Sequence, residues 1–191
     1  MKKYIIIAVF LFLGKTGFSQ TNWKVDKSHS NIKFTITHMV VSEVEGSFND
    51  FTGSVVSESE DFNGAKVEFI AQAASVFTDN ERRDNHLRSD DFFNAEKFPE
   101  VKFNGTIVKE GSKYYLVGKF TMRDVTKDVK FDVKYNGSIN TGRGKVAGFK
   151  VSGMINRKEY GLQYNSTIES GGLVVSDEVE ITCNVELREQ K

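Results

Sequence analysis

An all-β fold, an eight-stranded antiparallel barrel with a short capping helix, is predicted by three features of the sequence. Apolar and polar residues alternate in about eight separate runs, the period-two pattern of strands that bury one face. Two of those runs meet at Glu110-Gly111-Ser112-Lys113, a two-residue Gly-X loop of the kind that joins antiparallel neighbours. One polar segment, after Thr78, carries helix signals and no strand pattern.

In chain order, Lys2 and Lys3 precede nine apolar residues, Ile5 to Leu13, and a short stretch ending at Ser19. That order predicts a secretory signal peptide over 1–19 and a barrel domain over 20–191. The apolar run is about half of what a membrane span needs. The first strand pattern sets Ile32, Phe34, Ile36 and His38 against Lys33, Thr35 and Thr37. A run from Val44 to Val56 follows, then Val67, Phe69, Ala71 and Ala73. Thr78 with Glu81 three residues on forms a capping box, predicting a helix to about Arg88. It is polar nearly all round, so it closes one end of the barrel, with Leu87, Phe92 and Phe93 turned inward. The remaining runs are Val101 to Val108, Tyr114 to Phe120, Val129 to Tyr135, Lys145 to Ile155 and Val179 to Leu187. The only proline, Pro99, stands before a strand and removes no ladder donor. Strands that each bury one face lose their exposed edges by closing on themselves.

Composition excludes several functions. Lys plus Arg and Asp plus Glu both number 26, and without Lys2, Lys3 and Lys15 the remainder sits near −3. No nucleic-acid footprint of clustered basic residues is present. The single Cys183 cannot form an internal disulfide, and it alternates with Val and Ile as a small buried hydrophobe would. Gly142, Gly144 and Ala147 or Gly148 imitate a dinucleotide fingerprint, but they fall in a hairpin rather than between a strand and a helix. His29, His38 and His86 are the only histidines and could hold a metal only if the fold brought them together. Hydrogen bonding at turns and at the barrel mouth is the simpler expectation, with no metal and no cofactor. No catalytic set emerges, and the chain is not expected to be an enzyme.

Of 16 phenylalanines, Phe10, Phe12 and Phe18 fall in the leader, and Phe34, Phe69, Phe103, Phe120, Phe131 and Phe149 fall on inward registers. Ala71, Ala73, Gly118 and Gly153 share those registers. Large rings beside missing side chains either interdigitate into a solid core or line an apolar slot. Periodicity alone leaves both open.

The ordered set Trp23, Val25, Asp26, Ser28, His29, Ser30 and Phe34, then His38, Met39, Gly46 and Phe48, resembles the YceI-like proteins, the lipid or polyisoprenoid-binding family. The most specific stretch is Arg83-Asp84-Asn85-His86-Leu87 with Asp91, Phe92 and Phe93. Phe98, Pro99, Phe103, Gly118, Thr121, Val125, Thr126, Lys127, Val129, Phe149, Arg157, Tyr160 and Gly161 continue it over essentially the whole chain after the leader. Met122-Arg123-Asp124 departs from the family pattern and is expected to lie off the lumen.

The resemblance implies a lipocalin-like barrel in the periplasm whose lumen holds an isoprenoid chain, polyprenyl or isoprenoid quinone. The expected wall is Phe34, Ile36, Phe48, Phe69, Phe103, Phe120, Phe131, Val133, Phe149 and Ile155. Arg83, Asp84, His86 and Arg157 are expected at the mouth, either meeting a head group or pinning the helix. The alternative is a ligand-free structural or stress-response module acting through its surface. A monomer or a homodimer is compatible with either.

Overall fold

The computed structural model describes residues 20–166 and 174–191; the expected leader, 1–19, lies outside them. Eleven strand segments form one antiparallel sheet: β1 (Thr21–Val25), β2 (Asn31–His38), β3 (Ser42–Phe48), β4 (Phe51–Ser57), β5 (Lys66–Gln72), β6 (Val76–Phe77), β7 (Glu100–Glu110), β8 (Lys113–Met122), β9 (Val125–Asn140), β10 (Lys145–Asn156) and β11 (Val175–Gln190). Among the described residues the one α-helix, α1, spans Glu81–Arg88. β11 pairs with β2 over most of its length and with β1 at its end, Val25 opposite Leu187 and Asn22 opposite Gln190, which closes the ring. The result is the expected eight-stranded antiparallel barrel with one short helix.

Eleven segments make eight staves because three neighbouring staves are each broken once. β1 passes into β2 through a 3₁₀ turn at Lys27–His29, and β5 into β6 through another at Ala73–Ser75. The run expected to be continuous from Val44 to Val56 breaks at Asn49-Asp50. All three breaks lie side by side: Lys27 Nζ pairs with Asp50 at 2.8 Å, and the Asp50 N–H donates to Ser75 Oγ at 3.0 Å. At this corner the strands bend and change partners. β4 pairs with β1 and β5, and β3 pairs with β2 and β6.

The helix starts later than the capping box predicts. Asp79 takes a left-handed φ of 59°, which turns the chain before the helix, so Asn80 becomes the cap and its side chain accepts from the Arg83 N–H. Thr78 instead donates from its N–H and hydroxyl to the buried Asp84, at 2.9 and 2.5 Å. Arg88 fastens the helix to the barrel rim through the Ala74 and Val76 carbonyls. Leu87 is half-buried, and Phe92 and Phe93 are buried below it.

The opposite end of the barrel is plugged. Phe62, in the loop between β4 and β5, is 1% exposed and sits edge-on to Phe149 and Tyr135, with Trp23 5.1 Å away. It holds a left-handed φ of 61°, an uncommon conformation for a bulky residue that persists only when the surroundings fix it. Asp61 does so by accepting from Lys109, Ser59 and the Asn63 N–H, and those bonds, Lys109's first, hold its carboxyl well below the usual range. The Gly64 N–H to Ile107 carbonyl bond stitches the loop to β7.

Between the two ends, rings lie flat on the barrel wall. Phe34 faces Gly46 directly across β2 and β3, and a Cβ on Gly46 would stand 2.2 Å from Phe34 Cζ. A Cβ on Gly153 would likewise stand 2.2 Å from Phe131 Cδ1. Each ring occupies space that a side chain would have taken, so it covers the sheet instead of crossing the interior. That arrangement decides between core and slot.

Candidate functional site

The interior holds two adjoining cavities. The inner one, about 140 Å³, lies toward the plugged end. The outer, about 290 Å³, lies under α1. Phe34, Phe48, Val101, Phe120 and Ile181 border both, so the two form one lumen with a waist. An apolar cavity of about 150 Å³ stays dry and takes a benzene-sized guest. The inner cavity matches that scale, and its walls are almost wholly carbon.

All ten residues expected on the wall border this lumen. Phe69, Phe103, Phe131, Val133 and Phe149 border the inner cavity, Ile36 and Ile155 the outer, and Phe34, Phe48 and Phe120 the waist. Met122, expected to lie off the lumen, borders the outer cavity: it ends β8 on the inward register of Phe120. Val101, Leu162 and Tyr164 were not foreseen there. Tyr164 lies beyond the strands, where no periodicity marks it, and its ring packs on His86 at 4.7 Å and Phe92 at 5.0 Å.

Polar groups gather only at the outer cavity, where Arg83, His86 and Arg157 border it with Thr78 and His38. Asp84 does not; its carboxylate is consumed by Thr78. Arg83 is likewise turned on Thr78, donating to its hydroxyl and carbonyl at 2.7 Å each. His86 Nε2 lies 2.8 Å from Asp91.

Arg157 is the unusual member. It is 2% exposed, donates from Nε to the Ser176 carbonyl, and from Nη1 to the carbonyls of Leu162 and Tyr164. Its Nη2 has no hydrogen-bond partner among the described residues, and Asp177 Oδ1 is 3.7 Å away. Burial pulls its pKa down and Asp177 opposes that shift. That Nη2 group is turned to the Asp177 carboxylate, so Arg157 ties the wall of the outer cavity to the start of β11 by charge as well as by its three carbonyl bonds.

The three histidines do not converge. His38 and His86 border the outer cavity, whereas His29 stands with Asp26 and Glu186 on the barrel exterior. Ligand atoms of that exterior trio lie within 4.8 Å of one another, but Arg188 already pairs with both carboxylates. Hydrogen bonds from Ser28 and Arg188 hold the Asp26 carboxyl well below its usual range. Asp26 caps the 3₁₀ turn between β1 and β2, and this cluster locks the barrel seam.

Cys183 borders the inner cavity, and burial pushes its thiol up to about 12. With so little thiolate, alkylation by iodoacetamide at pH 8 is expected to run more than about a hundredfold slower than for a free cysteine. Mass spectrometry of timed aliquots measures it. A rate within tenfold of free cysteine would mean that the thiol faces solvent.

A family model described as a YceI-like domain matches residues 23–187. The chain belongs to the YceI family. A UPF0312 protein of Staphylococcus aureus (strain USA300) is 38% identical over 168 residues, 87% of this chain and 96% of its own length. The structure of a Campylobacter jejuni YCEI protein is 27% identical with a TM-score of 0.69, covering all of this chain and 99% of its own. A polyisoprenoid binding domain from Saccharophagus degradans shares the fold at 12% identity, with a TM-score of 0.66 over 88% of this chain and 98% of its own.

Proposed function

We propose that this YceI-family barrel is an exported, periplasmic carrier that sequesters a long isoprenoid chain, polyprenyl or isoprenoid quinone, in its lumen. The observation that carries this is the unfilled, carbon-lined lumen with polar groups only at its outer end. The likeness to a polyisoprenoid binding domain and the leader pattern of residues 1–19 support it. Among the described residues no helix is long and apolar enough to cross a membrane.

The physics is simple burial. Each methylene taken from water contributes about 0.8 kcal/mol. The chain fills inner and outer cavities while its polar end lies among Arg83, His86 and Arg157 at the outer cavity. No enzymatic step and no cofactor beyond the lipid is part of this function, and nucleic acid is not a partner. Either a monomer or a homodimer would serve.

Mass spectrometry of the purified protein, native and then after organic extraction, tests the proposal. A bound mass built from five-carbon units, near one per chain, is the expected result. No such mass, even after incubation with quinones and polyprenols, would instead favour a ligand-free structural module. Gly153→Ala pushes the Phe131 ring off the wall and into the lumen. It is expected to lower lipid retention at least about fourfold, the equivalent of one buried methylene, while circular dichroism stays that of the folded barrel.

A further inference from the structure

The hairpin between β2 and β3 ends in Met39-Val40-Val41, which are 41%, 74% and 87% exposed. Its turn is closed by the Val41 N–H to His38 carbonyl bond at 3.2 Å, and both central residues take left-handed φ, 50° for Met39 and 65° for Val40. A turn whose two central residues both take positive φ favours Asn-Gly, and a β-branched residue at positive φ is an outlier. Here Val40 and Val41 stand almost wholly in water and Met39 partly so, and Met39 and Val40 do so on a backbone suited to other residues. Local rules broken without a structural gain mark functional positions.

The location of the tip gives that function. His38 and Val44, which flank it, border the outer cavity. The Met39 N–H donates at 2.9 Å to the carbonyl of Val174, a third residue of that border. The hairpin tip therefore stands at the rim of the outer cavity. We infer that Met39, Val40 and Val41 form a membrane-docking finger that enters the apolar boundary of a lipid bilayer and sets the mouth of the lumen against it.

This rests on the proposal that the lumen takes a lipid chain, because a bilayer is where such a chain dissolves. A second copy of the protein is a poor occupant: a stable protein interface engages about 20–30 residues a side, and the tip offers three. A bilayer sets no such requirement. Apolar groups enter its interface by about 5–10 Å and bind in proportion to the area they bury.

The test uses the leaderless chain, phosphatidylcholine vesicles, and fluorescently labelled farnesol as probe. The double variant Met39→Asn, Val40→Gly installs the pair that the turn prefers, so the fold is kept or strengthened. The unaltered protein is expected to float with vesicles and to draw probe from them. The variant is expected to lose vesicle binding and to take up vesicle-held probe at least about tenfold more slowly, the effect of losing burial of one such side chain. Its affinity for probe delivered without vesicles should be unchanged. Flotation and uptake equal to those of the unaltered protein would overturn the inference, as would a dimer that the variant dissociates in sedimentation. If neither protein binds probe, the lumen proposal fails, and flotation alone still decides the finger.

Discussion

Arg157→Met is expected to lower stability by about 3 kcal/mol or more, read from urea unfolding. Methionine fills a similar volume but donates nothing, so the carbonyls of Ser176, Leu162 and Tyr164 lose their shared donor in one step. An unsatisfied buried group costs about 1–3 kcal/mol, and a whole domain is stable by only about 5–15 kcal/mol. Arg157→Lys should recover little, because one ammonium cannot reach three carbonyls in the fork geometry of a guanidinium. A loss under about 1 kcal/mol for the methionine variant would mean that these carbonyls find water instead, and that Arg157 serves the ligand alone.

The second large effect is expected at the plug. Phe62→Ala removes a ring that packs on Trp23, Tyr135 and Phe149, and large-to-small changes of this kind cost about 3–5 kcal/mol. It also empties space beside the inner cavity, so the variant should retain longer chains than the unaltered protein, as seen by mass spectrometry after extraction. Phe62→Leu should cost less and leave chain length unchanged. Equal stability for Phe62→Ala would show that the loop does not close that end.

The staves were legible because a barrel strand repeats every two residues, and that period survives in Ile32, Phe34 and Ile36 as in Val179, Ile181 and Cys183. The breaks at residues 49–50 and 73–75 were not, since a strand that bends and changes partner keeps its alternation. Thr78 looked like a cap because its spacing to Glu81 is right; Asp79, a type that tolerates left-handed φ, and Asn80, an equally good cap, offer a competing start two residues on that spacing alone does not rank. Wall residues on strands could be assigned by register, but Phe62 and Tyr164 reach the interior from loops, where no register exists. Whether the interior was solid or hollow depended on how Phe34 and Phe131 pack against Gly46 and Gly153, which is a contact across strands and therefore absent from any single stretch of sequence.

The plug at Phe62 makes the lumen a blind tube, and this has a kinetic consequence for anything it holds. By the benzene measure the two cavities take about three five-carbon units, so a longer chain trails through the mouth. Where Phe62 closes the far end among the described residues, a second molecule cannot push the first out from behind. Exchange must pass through an empty barrel, and its rate should be that of spontaneous departure, indifferent to how much competing chain is supplied. In the proposed carrier role the barrel acts as a timer: the dwell of its cargo is set by the depth of the tube, and only something acting at the mouth can shorten it.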